Sequence, residues 1–338
     1  MRGKILRPGS IGYHAEMHTG RNCFRTRIVP VYVFLVVSLT AISQPLFAAE
    51  TYVWVHSWGT TGSGPEQFNN PHSVAIDPGG YIYVTDQENN RIQKLNSDGD
   101  FVANWSTSTS PCGIALDSLG NVYVANNGSG VIQRFTSSGV LLNDWSSNDA
   151  GQIAVDSAGD VYVNATDGGN GLIRKYTSTG TLITQWGGFS SFALGGLVID
   201  SSDYVYVSDT NGKCVRKFTS IGTEVDEWAT VGLGGVEFRP GGLALDNSNS
   251  VFVCDYDGAG IEKFTNSGSF VTDWGSYGSG NGEFNAPTGI AVDGAGTVYV
   301  ADHLNDRIQV FVVPEPATLS LFALGGLALI RRRTAQAE

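Results

Sequence analysis

The stretch Pro287–Phe311, PTGIAVDGAGTVYVADHLNDRIQVF, decides the fold, because the chain carries five further imperfect copies of it. Pro71–Leu95 reads PHSVAIDPGGYIYVTDQENNRIQKL, Pro111–Phe135 reads PCGIALDSLGNVYVANNGSGVIQRF, and three more copies begin near Ala150, Leu194 and Pro240. A repeat of this size cannot bury its apolar faces alone and needs stacked neighbours. Each copy opens on a small apolar strand (SVAID, GIALD, QIAVD, GLVID, GLALD, GIAVD), with Ala75, Ala115, Ala154, Ala244 and Ala291 in one column and Val198 as the exception. The next strand (IYVTD, VYVAN, VYVNA, VYVSD, VFVCD, VYVAD) is apolar on both sides, the pattern of a strand packed on both faces.

A third strand follows, RIQKL and its relatives, and in copies one to five a fourth ends at Trp105, Trp145, Trp186, Trp228 or Trp274. Successive intervals between Asp77, Asp117, Asp156, Asp200, Asp246 and Asp293 are 40, 39, 44, 46 and 47 residues, one four-stranded unit each. The reading is all-β: a six-bladed β-propeller of four-stranded antiparallel blades. Copy six stops at Phe311 without its Trp. The strand-like run Thr51–Trp58, TYVWVHSW, stands before copy one and ends in a Trp. Tyr52–Trp58 is therefore expected to complete the last blade as its outermost strand, which closes the ring and removes the seam.

Over the whole chain 32 Asp and Glu outweigh 20 Lys and Arg, a formal charge of −12. Between Ala49 and Val313 the counts are 29 acidic and 11 basic residues, a balance of −18. Affinity for nucleic acid comes largely from Lys and Arg neutralising phosphates, so RNA and DNA are excluded as partners.

Both ends read as addresses. Arg21, Arg25 and Arg27 precede an apolar run from Ile28 to Ile42, and Pro45-Leu46-Phe47-Ala48-Ala49 offers small residues for cleavage. Residues 1–49 are thus expected to be a signal peptide that engages the Sec export machinery, with translation starting at Met17 so that the signal has ordinary proportions. Residues 50–313 form the propeller body and 314–338 a tail. In that tail Val313–Arg333 reads VPEPATLSLFALGGLALIRRR. Ala317–Ile330 is shorter than the ~20 residues a membrane-spanning helix needs, and Arg331, Arg332 and Arg333 would hold it at the cytoplasmic face.

These residues resemble known families. G-I-A-V-D, a turn, V-Y-V-A-D, an Asn-containing loop and R-I-Q-V-F resemble the NHL repeat, which forms six-bladed propellers; the Gly-rich linkers GTTGSGPEQFNNP and GSYGSGNGEFNAP fit as well. The likeness is strongest in copies one, five and six. Copy three departs from it, with NATDGGNGL where Asp, Asn and Arg are expected. The Gly-His and Trp-Asp signatures of WD repeats are absent. The tail, with Pro314, Glu315 and Pro316 followed by an apolar stretch and an Arg cluster, resembles the PEP-CTERM sorting signal. That resemblance implies transient membrane association through a short C-terminal helix and recognition by an exosortase-type processing enzyme. It implies delivery to the cell surface, outer membrane or extracellular matrix of a Gram-negative bacterium that makes exopolysaccharide.

In a propeller, loops entering the first strand share a rim with loops between second and third strands. That rim is expected to carry His72 and Cys112, with Gly151, Gly195, Gly241 and Thr288 in matching places. From the second loop set come Asp86, Asn89, Asn90, Asn126, Asp209, Asp255, Tyr256, Asp302, His303 and Asn305. Amidating lyases of this fold bind zinc through His at the channel mouth, which makes His72, His303 and Asp302 the candidate metal ligands, for zinc or calcium. The plainer reading is two loop histidines and no cofactor. The Asp77 column precedes turns such as Asp77-Pro78-Gly79-Gly80, where an Asp accepts local backbone hydrogen bonds, and the Trp column is expected to pack between outer strands, with Trp54 off register and exposed. Asp86 with Arg91 and Asp302 with Arg307 read as loop-bracing pairs. Cys112, Cys214 and Cys254 read as free buried thiols.

Two functions fit this reading. A non-enzymatic exported propeller that recognises a protein or polysaccharide is preferred. The alternative is an exported metal-assisted lyase or hydrolase with its site on the same rim.

Overall fold

The computed structural model describes residues 50–314 except 168, 190–193 and 231–238. Within that range lie six four-stranded antiparallel sheets, and their innermost strands touch in a closed cycle that returns from the sixth to the first. The strands of blade one are Pro71–Ile76, Ile82–Asp86, Arg91–Leu95 and Phe101–Ser106, and the pattern recurs through blade five. In blade six Pro287–Val292, Val298–Asp302 and Arg307–Val312 are joined by Val53–Trp58, so the N-terminal run does complete the last blade. Val53 stands opposite Val312 and Trp58 opposite Ile308.

The second strands form the heart of each blade. Tyr83, Val84, Tyr123, Val124, Tyr206 and Val207 are fully buried, because both faces of these strands meet a neighbouring blade. Against them the Trp column packs as the sequence suggests. Trp105 lies between Tyr83 of its own blade and Phe135 of the next, with ring centroids 6.3 and 6.1 Å away. Beside it sits Gly139, in the third-to-outer turn of blade two, at φ 86°. A Cβ there would lie 2.7 Å from the indole, so this turn needs glycine both for its left-handed backbone and for the ring beneath it. The same contact joins Trp58 to Gly99, Trp145 to Gly180, Trp186 to Gly222 and Trp228 to Gly268.

The Asp column is structural, as the turns foretell. Asp77 Oδ1 accepts from the backbone amides of Gly79 and Tyr81, and Asp117, Asp156, Asp200, Asp246 and Asp293 repeat the arrangement. In five blades the other oxygen accepts the second-strand tyrosine hydroxyl, as Tyr162 donates to Asp156 at 3.0 Å.

Two details differ from expectation. Trp54 is not exposed: it is half-buried and packs on the cluster that holds Phe284 and Phe311, because a bulge between Trp54 and His56 shifts the strand's facing. The pairs Asp86–Arg91 and Asp302–Arg307 brace their loops as expected, with both carboxylates fully buried and meeting the guanidinium at 2.6 and 2.7 Å. In copy three the loop is replaced by longer strands, Val161–Asp167 and Asn170–Tyr176, whose pairing runs out to Asp167 opposite Asn170. Cys112, Cys214 and Cys254 are free and buried.

Antiparallel connection fixes two faces. Turns from first to second and from third to outer strand lie on one, and second-to-third loops with the inter-blade linkers lie on the other. The last strand of the chain ends at Val312, across from Val53 and beside the turn at Ala295–Thr297, so both ends of the described chain lie on the turn face. The segment expected to carry Glu315, Pro316, the short apolar helix and Arg331, Arg332 and Arg333 lies outside the described residues, as does the expected signal at 1–49. Among the described residues no helix is long and apolar enough to cross a membrane.

Candidate functional site

The loop face opens into a cavity of about 410 Å³ at the end of the central tunnel. All six residues at the starts of the first strands reach it: His72, Cys112, Gly151, Gly195, Gly241 and Thr288. Hydrogen bonds link these positions around the mouth. Thr85 Oγ1 donates to the Cys112 carbonyl at 3.0 Å, Asn164 Nδ2 to Gly195 at 2.9 Å, Ser208 Oγ to Gly241 at 2.7 Å, and Thr288 Oγ1 to His72 at 2.8 Å. These bonds tie four of the six blade junctions at the mouth. Below it, Ala115, Ala154, Ala244 and Ala291 with Val198 line a second chamber of about 240 Å³.

From the second-to-third loops the cavity receives Gln87, Asn127, Thr210 and Tyr256. These follow, by one position, the strand-ending residues Asp86, Asn126, Asp209 and Asp255. Alternation along an extended chain explains the offset: the strand-ending side chain turns into the loop, and its successor turns to the axis. Asp86 accepts from the Asn69 amide, from Asn89 Nδ2 and from Arg91 Nε, while Asn89 also donates to Gly62 O and Arg91 to Ser63, Gly64 and Gln67 carbonyls. Asp302, Asn305 and Arg307 repeat this clamp on the linker at Gly278, Ser279, Gly280 and Glu283. Asn126 donates to Val131 O, Asp209 accepts from the Gly212 amide, and Asp255 accepts from the amides of Arg239 and Gly258. Asn90 Oδ1 accepts the Ser110 amide of the next linker.

Of the loop residues named from the sequence, Tyr256 lines the mouth, and His303 stands against His72 beside it. The His72 and His303 rings are 5.6 Å apart and near perpendicular, and His303 Nδ1 is 3.2 Å from Pro71 O. Burial holds His72 down to about 4, with His303 beside it as the second cause, and burial also lowers His303. Both imidazoles are therefore neutral at neutral pH. Asp302 is committed to its clamp and does not join them, and among the described residues no group of three or more His, Cys, Asp or Glu is placed to hold a metal ion. Burial pushes the Cys112 thiol up to about 11, and its Sγ accepts from Gln87 Nε2 at 3.1 Å.

Sequence reasoning missed Gln87, Asn127, Gln152, Asn164, Thr210 and Arg239. The first, second and fifth were legible as the position after the strand-ending column. Arg239 was not, because the linker before blade five lacks the Phe-x-x-Pro form of its counterparts.

Comparison with known proteins agrees with this architecture. The NHL repeat family matches residues 68–95 and 284–311, and the PEP-CTERM protein-sorting motif matches 312–333. NHL repeat-containing protein 3 from Homo sapiens is 42% identical over 55 residues, 16% of this chain and 15% of that protein, so the likeness spans a small part of the relative's length. A streptogramin B lyase structure aligns over 79% of this chain and 99% of its own with a TM-score of 0.59 at 14% identity. A protein of unknown function from Bacteroides thetaiotaomicron aligns over 78% of this chain and 76% of its own with a TM-score of 0.64 at 17% identity. At such identities the likeness is one of fold. The molecule is a closed six-bladed β-propeller with a polar mouth. Two of its six repeats match the NHL repeat family and its tail matches the PEP-CTERM sorting motif, which indicates export and surface association and implies processing by an exosortase.

Proposed function

We propose that the mature chain, from residue 50 onward, is a non-enzymatic binding propeller displayed at the cell surface or in the exopolysaccharide matrix, and that its mouth takes a polysaccharide. The observation that carries this reading is the mouth itself. Carboxamides from Gln87, Asn127 and Gln152, the hydroxyls of Thr210 and Thr288, and the Tyr256 ring converge on one cavity, a set that donates to and accepts from hydroxyl groups and stacks on a sugar face. Orientation supports it too. The chain leaves the propeller at Val313 on the turn face, so a tail held at the membrane by Arg331, Arg332 and Arg333 would leave the mouth pointing outward. A signal at 1–49 recognised by the Sec machinery and a short apolar tail over 314–338 complete the proposal.

The alternative, a lyase or hydrolase using metal, draws on the His72–His303 pair. Metal analysis of the purified mature chain, with His72→Ala as control, separates the two: the binding reading expects no stoichiometric zinc or calcium. A glycan array with a parallel pull-down then tests the ligand class. Selective retention of saccharides supports the reading, and capture of a protein partner with no glycan bound overturns it.

A further inference from the structure

We propose that the mouth selects a saccharide bearing a carboxylate at or near its end, with Arg239 and Tyr256 as the pair that reads it; this rests on the binding reading above. Arg239 is exposed and its guanidinium carbon lies 5.2 Å from the centre of the Tyr256 ring. The two are tied through the backbone as well, since the Tyr256 amide donates to the Arg239 carbonyl at 3.0 Å and the Arg239 amide donates to Asp255 Oδ1 at 3.2 Å. Both side chains line the cavity.

The charge at this place runs against the rest of the molecule. Acidic residues outnumber basic ones 32 to 20 in the chain, yet among the described residues that line the cavity none is a carboxylate and Arg239 is the one cation. Among the described residues Arg239 makes no ion pair. His72, the other titratable nitrogen base there, is held neutral by burial. A guanidinium stacked on an aromatic ring keeps its edge N–H groups available, and their planar fork matches a carboxylate with two parallel hydrogen bonds. The acidic body repels a polyanion laid along the surface, so the fitting ligand carries its charge sparsely and presents it to the mouth.

The test uses the mature chain and two probes, a tetrasaccharide ending in glucuronic acid and the same tetrasaccharide ending in glucose, titrated by calorimetry. The acidic probe is expected to bind about ten- to hundredfold more tightly, the range for hydrogen bonds to charged groups. Arg239→Ala should erase that preference, bringing the two probes to equal affinity, and Arg239→Lys should restore part of it. Circular dichroism of each variant checks that the fold is intact. Equal binding of the two probes, or a preference that survives Arg239→Ala, overturns the acidic assignment and leaves the saccharide reading standing. Binding of neither probe overturns both.

Discussion

Tyr52 stacks on Trp274 with ring centroids 4.2 Å apart and planes 16° from parallel, in the place where the other five blade tryptophans meet a turn glycine. The reason is topological. Blade six has no covalent turn between its third and outer strands, so no glycine is available to cover Trp274, and the residue just before the N-terminal strand covers it instead. Lys263 secures the same corner, donating to Glu50 at 2.5 Å and to the Tyr52 hydroxyl at 3.2 Å. Tyr52→Ala is expected to cost about 3–5 kcal/mol, the range for deleting a buried aromatic. Thermal unfolding should show the melting temperature falling by about 6–20 °C for a body of this size.

The glycine contacts offer an internal control. Gly139 and Gly120 both have positive φ, 86° and 80°, but a Cβ at Gly139 meets Trp105 whereas at Gly120 it meets open space. Each Gly→Ala change therefore carries the backbone strain, about 1 kcal/mol. Only Gly139→Ala also pushes the indole aside. Chemical denaturation should place Gly139→Ala below Gly120→Ala by about 1–3 kcal/mol, the range for overpacking.

The buried clamp makes a stronger demand. Arg307 spans the Asp302 carboxylate and three linker carbonyls, so Arg307→Ala strands a buried charge and loosens the linker at once. A loss of about 3–5 kcal/mol is expected. The double variant with Asp302→Asn should recover part of it, which a double-mutant cycle on unfolding free energies would read as coupling.

Acid should destabilise the fold through His72. Its folded value, about 4, lies below the ordinary 6.5, so the unfolded chain binds the proton first. The contribution is fully present above about pH 6.5 and is lost as pH falls through 4. His72→Gln should flatten the stability profile over that window, measured as the difference from the parent so that carboxylate effects common to both cancel.

The blade count, the strand order and the borrowed outer strand were legible because they depend on periodicities: a recurring Asp, a recurring Trp, and one Trp out of place. The mouth was legible only in part. His72, Cys112 and Thr288 stand where the starts of the first strands put them, but in blades one, two and four the loop position was read one residue early, while Tyr256 of blade five was read in place. Asp86 and Asp302 are polar and sit at the right height, and nothing in their type says that they turn inward to Arg91 and Arg307 while Gln87 turns to the axis and His303 packs against His72. That choice is made by the linkers they clamp, which come from 17 residues earlier in the chain.

The mouth on the loop face is the proposed place where the ligand binds. Asn127 lines it, is exposed, and makes its hydrogen bond to Ser110 through the backbone amide, so Asn127→Trp fills the opening without removing a structural contact. Binding of the parent and of Asn127→Trp to the saccharide selected on the array should be measured at matched melting temperature. Binding by the parent and at least about a tenfold loss in the variant are expected, and equal affinity of the two would exclude the mouth as the binding place.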